Sequence, residues 1–172
     1  MIKYPYSVKG VKTLETHDGQ ALTAALYHGS KKVGSIEDSG TGGGIWPHFN
    51  TVLDDLEFTA WVKSLGDAHY PASRGMDAMT FPHTSESVLE MLLDEYDRVK
   101  SDARMDRAAK TKLIYREAAD SQDSYRVADL SDPVRALPLP SIVALYQQKA
   151  SWFAKASDVW VIGTGWTPIS AI

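Results

Sequence analysis

The chain has 172 residues, of which 44% are hydrophobic and 23% are charged. This length and composition predict a folded domain with a sizeable core and argue against an intrinsically disordered chain. Cysteine is absent, which excludes disulfides, thiolate catalysis and cysteine-ligated metal or iron–sulfur sites. No run approaches the roughly 20 apolar residues of a membrane span, and the first residues lack the apolar segment of a signal peptide. We therefore expect a cytoplasmic protein that does not associate with membranes.

The net charge of −4 conceals an uneven distribution of charge along the chain. Residues 37–97 carry twelve acidic and two basic side chains, whereas residues 98–116 carry seven basic and two acidic ones. Such blocks select partners when their charges share one surface, and otherwise they are ordinary solvated helix faces. The sequence leaves both interpretations open.

The first fifty residues predict strands and turns. Residues 2–14 mix Tyr, Val and Thr with Lys, as extended segments do. Residues 21–27 and 31–37 predict a β-hairpin, because two short strand-like runs flank the tight turn His28-Gly29-Ser30. The next segment, residues 38–44, is too rich in glycine for a helix or a strand.

Two helices are predicted between residues 51 and 109. The first begins near Thr51, which has capping-box spacing to Asp54, and ends at Gly66. The second begins at Ser85 and continues to about Ala103 or Ala109. The expected apolar stripes are Val52, Leu53, Leu56, Trp61, Val62 and Leu65 in the first helix, and Val88, Leu89, Leu92, Leu93, Tyr96 and Val99 in the second. Between the two helices, Pro71, Gly75 and Pro82 predict a long loop over residues 67–83.

The C-terminal third predicts a second hairpin, a helix and a strand. The hairpin spans residues 112–117 and 125–130, the helix is capped by Ser141, and residues 158–163 form the strand before an irregular tail. Hairpins combined with separate helices predict an α+β fold, in which about three helices pack on one face of a mostly antiparallel sheet. We expect one domain, 1–172, made of an N-terminal hairpin part (1–50), a helical part (51–109) and a C-terminal hairpin–helix–strand part (110–172).

The glycine-rich segment is the first candidate binding site. Consecutive backbone N–H groups without side chains can hold an anion or let a ligand approach the main chain. No Gly-Lys-Ser/Thr follows, and the spacing differs from that of a dinucleotide-binding loop. The loop therefore predicts either a structural turn or a contact with a partner or ligand, and the alternative function is a small-ligand or nucleotide-binding protein, or an enzyme, that uses the Gly40–Gly44 loop. The residues expected in that contact are Asp38, Gly40, Gly42, Gly43, Trp46 and His48.

The sequence lacks catalytic and metal-binding patterns. Its five histidines have neither His-x-His nor His-x-x-x-His spacing, and no Gly-x-Ser-x-Gly elbow occurs. Asp38, Ser39 and His48 form a catalytic group only if folding brings them within hydrogen-bond distance of one another. We expect no catalytic residue, no metal ion and no cofactor, and we favour a non-enzymatic function.

Two charged surfaces are candidates for binding macromolecules. An acidic surface suits a basic groove on a partner protein. Its expected members are Asp54, Asp55, Glu57, Glu86, Glu90, Asp94 and Glu95. A basic patch for phosphate contacts combines Lys100, Arg104 and Arg107 on one helical face with Lys110. A nucleic-acid binder that uses the basic stretch 98–116 is thus a second alternative function, although an acidic chain with a pI near 5.7 does not favour nucleic acid as the partner.

The segment from Ala24 to Gly43, AALYHGSKKVGSIEDSGTGG, combines a strand, a short Gly turn, KKVG and a D-x-G-x-G-G loop. In this arrangement it resembles small uncharacterised accessory proteins of phages and plasmids, and the later hairpin at residues 112–116 is similar to theirs. The resemblance implies a mobile-element protein that acts in the host cytoplasm. The leading hypothesis is a non-enzymatic protein that inhibits a host defence protein through its acidic surface, as anti-CRISPR proteins do. A homodimer is compatible with the same sequence.

Overall fold

The computed structural model describes residues 4–72, 77–121 and 124–172. These residues form an α+β fold, which confirms the predicted class. The strands are β1 (Tyr6–Glu15), β2 (Gln20–His28), β3 (Lys31–Asp38), β4 (Trp46–Phe49), β5 (Asp67–Tyr70), β6 (Met79–Pro82), β7 (Lys112–Glu117), β8 (Arg126–Asp129), β9 (Ala156–Val161) and β10 (Gly165–Pro168). The helices are α1 (Val52–Ser64), α2 (Ser85–Ala109), α3 (Asp132–Arg135) and α4 (Leu139–Lys149).

The chain divides into two compact units, Met1–Asp97 (unit 1) and Arg98–Ile172 (unit 2). Each unit has a four-stranded antiparallel sheet and apolar clusters of its own, whereas the sequence predicts one main sheet within a domain of residues 1–172. The division falls inside α2, so the first half of this helix belongs to unit 1 and the second half to unit 2.

Unit 1 contains a meander in which β1, β2, β3 and β4 are neighbours in that order. The predicted hairpin of β2 and β3 is confirmed: His28 pairs with Lys31, and Gly29 turns the chain with a φ of +57°. One face of the sheet supplies Leu26 and Ile36 to a core that also contains Phe58 of α1 and Leu89 of α2. In this unit the two helices therefore cover one face of the sheet.

Two predictions for the middle of unit 1 are wrong in part. Part of the expected loop over residues 67–83 is a two-stranded ribbon, in which β5 pairs with β6 from Asp67↔Pro82 to Tyr70↔Met79; Gly75 lies outside the described residues. The apolar stripe predicted for α1 is correct for its second half, where Val62 is buried and Trp61 and Leu65 pack against the core, and wrong for its first half. The buried positions of α1 are 54, 58 and 62, one helical turn apart, and this register turns Val52, Leu53 and Leu56 away from the core.

Unit 2 has helical residues packed on both faces of its sheet, whose strand order is β10-β9-β7-β8. Leu113 and Val159 pack with Ile142 of α4. Ile114 and Trp160, which alternate with them along the strands, pack with Met105 of α2. The sequence predicted helices on one face of the sheet only.

The local predictions for unit 2 have mixed outcomes. The second hairpin is confirmed, since β7 pairs with β8 from Lys112↔Asp129 to Tyr115↔Arg126. The helix expected to be capped by Ser141 begins earlier, at Leu139, with Pro138 in the N-cap position. The tail expected to be irregular contains β10, which pairs with β9 at Trp166↔Trp160.

Helix α2 continues to Ala109, at the far end of its predicted range. No residue from Asp97 to Arg104 is buried, and Val99, expected in the apolar stripe, is 51% exposed. The Arg98 guanidinium donates to Asp102 at 2.9 Å, one turn further along the helix. A helical stretch without a buried face depends on such side-chain pairs and on its own backbone hydrogen bonds.

Candidate interaction surfaces

The glycine-rich loop joins β3 to β4, and its first glycine has a packing role. The Gly40 N–H donates to Asp38 Oδ1 at 2.8 Å, and the Gly40 carbonyl accepts from the Thr16 hydroxyl at 2.9 Å. The φ of Gly40 is +69°, and a Cβ at this position would lie 2.5 Å from the backbone nitrogen of Ala21. Gly40 is therefore required by the close approach of the loop to β2, without any ligand.

The remaining residues of the predicted loop contact differ in their surroundings. Gly42 and Gly43 are exposed, and a Cβ at either position would meet open space. Trp46 is 67% exposed, and it pairs across the sheet with Glu37. His48 is exposed, and its Nε2 lies 3.7 Å from Glu37 Oε2. Trp46 and His48 thus stand together on the outer face of the sheet, opposite the core.

The catalytic group considered for Asp38, Ser39 and His48 does not form. Alternate residues of a strand point to opposite faces, and the pairing of Ser35 with His48 places His48 on the face opposite to Asp38. The Ser39 hydroxyl is hydrogen-bonded to the Thr41 hydroxyl at 2.8 Å. Sequence proximity suggested a contact that the alternation of strand residues prevents.

Asp54, which was expected on the acidic surface, is buried with 2% exposure. Its Oδ1 accepts from Lys31 Nζ at 2.7 Å, and its Oδ2 accepts from the Thr51 hydroxyl at 2.7 Å. The Asp54 N–H in turn donates to the Thr51 oxygen at 3.2 Å, which completes the predicted cap of α1. The bonds from Lys31 and Thr51 lower the pKa of the Asp54 carboxyl. Asp54 is a structural residue, so its assignment to the acidic surface is wrong.

Asp55 and Glu57 lie on the exposed side of α1, beside apolar side chains that sequence analysis placed in the core. Val52, Leu53 and Leu56 are 77%, 62% and 61% exposed. On a helix, residue 56 neighbours both 52 and 53, so these three side chains form one patch. We call Val52, Leu53, Leu56, Asp55 and Glu57 the α1 surface. Glu57 Oε2 also lies 3.8 Å from His28 Nδ1, with both side chains nearly half exposed.

The acidic residues of α2 form a row on one side of the helix. Glu86, Glu90 and Asp94 are exposed and follow one another at four-residue spacing, whereas Glu95 is half-buried. The row begins beside the glycine-rich loop, because a Cβ at Gly44 would collide with the Glu86 carboxylate. Like charges one turn apart weaken a helix slightly, by about 0.2–0.5 kcal/mol per pair.

The basic patch is divided between the exposed surface of α2 and a cavity of unit 2. Lys100, Arg104 and Arg107 are exposed along the second half of the helix. Acidic side chains alternate with them: Asp102 bonds Arg98, and Asp106 accepts from the Trp160 indole N–H at 2.8 Å. Lys110 lines the cavity. The positive charges are thus interrupted along the helix.

The β5–β6 ribbon carries an apolar face that was not predicted from the sequence. The cross-strand pairs Ala68↔Phe81 and Tyr70↔Met79 share one face of the ribbon. Phe81 is 52% exposed, Tyr70 49% and Met79 41%. The available signal was the alternation of apolar and polar residues over Asp67–Tyr70 and Met79–Pro82, which is typical of a strand. The two prolines and Gly75 outweighed it.

The chain was compared with protein-family models, curated proteins and solved structures, and none of them matches it. Within residues 4–72, 77–121 and 124–172, no three His, Asp or Glu side chains are grouped so as to hold a metal ion. None of the helices described is long and apolar enough to cross a membrane.

Proposed function

We propose that the protein is a non-enzymatic interaction protein that binds another protein through the α1 surface. The observation that carries this proposal is the exposure of Val52, Leu53 and Leu56, each more than 60% accessible on one end of a single helix. A contiguous exposed apolar patch is typical of a binding surface, because its burial against a partner is favourable.

The charges around this patch indicate the chemistry of the partner. Asp55 and Glu57 lie between and beside the apolar side chains, and the row of Glu86, Glu90 and Asp94 adds negative charge to the same unit. The Lys31 ammonium is paired with the Asp54 carboxylate at 2.7 Å. A partner segment with apolar anchors flanked by Lys or Arg complements this arrangement.

The resemblance to phage and plasmid accessory proteins favours a bacterial host protein as the partner. We propose that binding blocks a surface that the host defence protein needs for its own ligand, such as a basic nucleic-acid groove. This mode of inhibition requires no chemical step, so it agrees with a chain whose Asp38, Ser39 and His48 are not assembled into a catalytic group.

A test uses the double variant Leu53→Ser/Leu56→Ser against the matched control Val99→Ser. Val99 is also an exposed apolar residue on a helix, so its substitution changes the same chemistry elsewhere. Each protein is immobilised, incubated with lysate of a bacterial host, and the retained proteins are identified and purified for affinity measurement. We expect a partner that binds wild type and Val99→Ser alike and binds the double variant at least about tenfold more weakly.

Photo-crosslinking locates the contact independently. A benzoylphenylalanine at position 56 is expected to crosslink the partner, whereas the same group at the exposed position 149 of unit 2 is not. Retention of the partner by Leu53→Ser/Leu56→Ser with unchanged affinity, or a host lysate that yields no stoichiometric partner, contradicts the proposal.

A further inference from the structure

Unit 2 contains a cavity of about 340 Å³ at one end of its sheet. The start of β7, the end of β9, the last turn of α2 and the segment from Leu130 to Ile142 surround it. Sites for small molecules usually have volumes of roughly 300–1,000 Å³. The cavity is therefore of a size that holds a small ligand.

Most of the residues that line the cavity are apolar. Leu113, Ile114, Ile142 and Trp160 line it and are buried in the clusters on the two faces of the sheet. Leu137 and Ile162 also line it, but they are 42% and 51% exposed. Large apolar side chains that are exposed beside a cavity gain burial when a ligand with an apolar body occupies it.

Three cationic side chains line the same cavity, namely Lys110, Lys112 and Arg135, and none of its lining residues is acidic. Lys112 Nζ lies 3.5 Å from Asp129 and Arg135 Nη2 lies 3.0 Å from Asp132, but these two carboxylates are 87% and 89% exposed. Such exposed ion pairs contribute little, so a ligand anion competes with them readily. Lys110 forms no ion pair within the described part of the chain.

Two helix ends at the cavity have opposite polarity. Leu139 begins α4, whose first turn lacks a side-chain cap, and Ala109 ends α2. The partial positive charge at the start of one helix and the partial negative charge at the end of the other offset each other. The sign of the site is therefore determined by the three cationic side chains.

We propose that this cavity binds a small amphiphilic anion, with an apolar chain against the walls and one carboxylate near Lys110, Lys112 and Arg135. A neutral apolar molecule makes no use of the three cations, and a cationic one is repelled by them. This inference concerns unit 2 and is independent of the proposed function of unit 1.

The test is a titration of the full chain with octanoate, followed by NMR of ¹³C-labelled isoleucine methyl groups. The methyl signals of Ile114, Ile142 and Ile162 report on the cavity, and those of Ile36 and Ile45 report on unit 1. We expect saturable shifts in the first group only. Octan-1-ol is expected to bind at least about threefold more weakly, octylammonium more weakly still, and acetate without saturation.

Charge variants test the role of the cations. Lys110→Gln/Arg135→Gln is expected to weaken octanoate binding about tenfold, while Lys149→Gln/Lys155→Gln removes the same charge from unit 2 outside the cavity and is expected to change it little. Because Arg135 also donates to the Leu130 carbonyl at 3.3 Å, the single variant Lys110→Gln serves as a second test that spares this bond. It is expected to weaken binding about threefold.

Four results overturn the proposal. The first is the absence of saturable shifts at the three cavity methyls. The second is equal affinity for octanoate and octan-1-ol, and the third is equal weakening by the cavity variants and the control pair. The fourth is tighter binding of a short peptide with an apolar C-terminal residue and a free carboxylate, which assigns the cavity to a peptide terminus.

Discussion

The two units use the same kinds of elements but cover their sheets differently. In unit 1 both helices pack on one face of the meander, and the other face carries exposed side chains such as Trp46 and His48. In unit 2 helical residues pack on both faces, with Ile142 on one side and Met105 on the other. The sheet of unit 1 therefore keeps one broad exposed face, whereas the sheet of unit 2 is covered on both faces and leaves space at one end, where the cavity lies.

The charges of the units follow the same division. Unit 1 contains seven basic and fourteen acidic side chains, and unit 2 contains eleven basic and eight acidic ones. The overall value of −4 is therefore the sum of two regions of opposite sign. Each region is expected to select a ligand of the charge opposite to its own.

The largest effect is expected from core substitutions, which test whether each unit depends on its own core. Phe58 in unit 1 and Phe153 in unit 2 are fully buried, and Phe→Ala in a core costs about 3–5 kcal/mol. Phe58→Ala is expected to reduce amide hydrogen-exchange protection in β1–β4 and to leave β7–β10 protected, and Phe153→Ala is expected to do the reverse. Equal loss of protection in both units from either variant would mean that the two cores unfold as one.

A smaller effect is expected within the glycine-rich loop of unit 1. Gly40→Ala imposes a side chain on a backbone with a φ of +69° and a position 2.5 Å from the Ala21 nitrogen, and we expect a loss of about 1–3 kcal/mol in the free energy of unfolding. Gly43→Ala is the matched control, because a Cβ there meets open space, and it is expected to stay within about 0.5 kcal/mol of wild type. Urea unfolding curves measure both variants. A neutral Gly40→Ala would show that the loop does not pack on β2 as described.

The smallest effect concerns acid pH and one carboxyl in each unit. Asp54 bonds Lys31 and Thr51, and Asp120 accepts from the Glu117 N–H at 2.8 Å and from Arg126; these bonds lower the pKa of both carboxyls below 3.8. Because the folded-state pKa is the lower one, each group stabilises its unit above about pH 4, and this stabilisation is lost as the pH falls through the folded-state value.

Hydrogen exchange between about pH 5 and about pH 2 measures this effect. Asp54→Asn is expected to flatten the acid dependence of protection in unit 1 alone, and Asp120→Asn that in unit 2 alone. Asp55→Asn removes an exposed carboxyl from the same helix as Asp54 and is the control. An identical response to Asp54→Asn and Asp55→Asn would contradict the conclusion that the buried Asp54 carboxylate stabilises unit 1.

The features that sequence predicted correctly are set by neighbours a few residues apart. The turn at Gly29 needs a residue that tolerates positive φ, and the cap at Thr51 needs an acceptor three residues before a free N–H. The α+β class followed from such local signals. They act before any tertiary contact exists, so a single sequence contains them.

The wrong predictions depended on which surface the rest of the chain covers. Apolar residues on α1 occupy more than one face, and only the packing of Phe58 against the sheet determines that Leu53 and Leu56 remain exposed. From the sequence, Asp54 is predicted to be a surface carboxylate. No local pattern indicates that Lys31, 23 residues away in the chain, bonds it in the folded protein. The cavity has no sequence signal either, because its lining comes from segments spread between Ala109 and Ile162.

The exposed middle of α2 has a genetic consequence. Leu92 packs in the core of unit 1 and Met105 packs in the core of unit 2. No residue between them from Asp97 to Arg104 is buried. A recombination breakpoint within the eight codons of this stretch would leave every core side chain with its own partners. Each piece rejoined at this point would keep the apolar residues of its own core together.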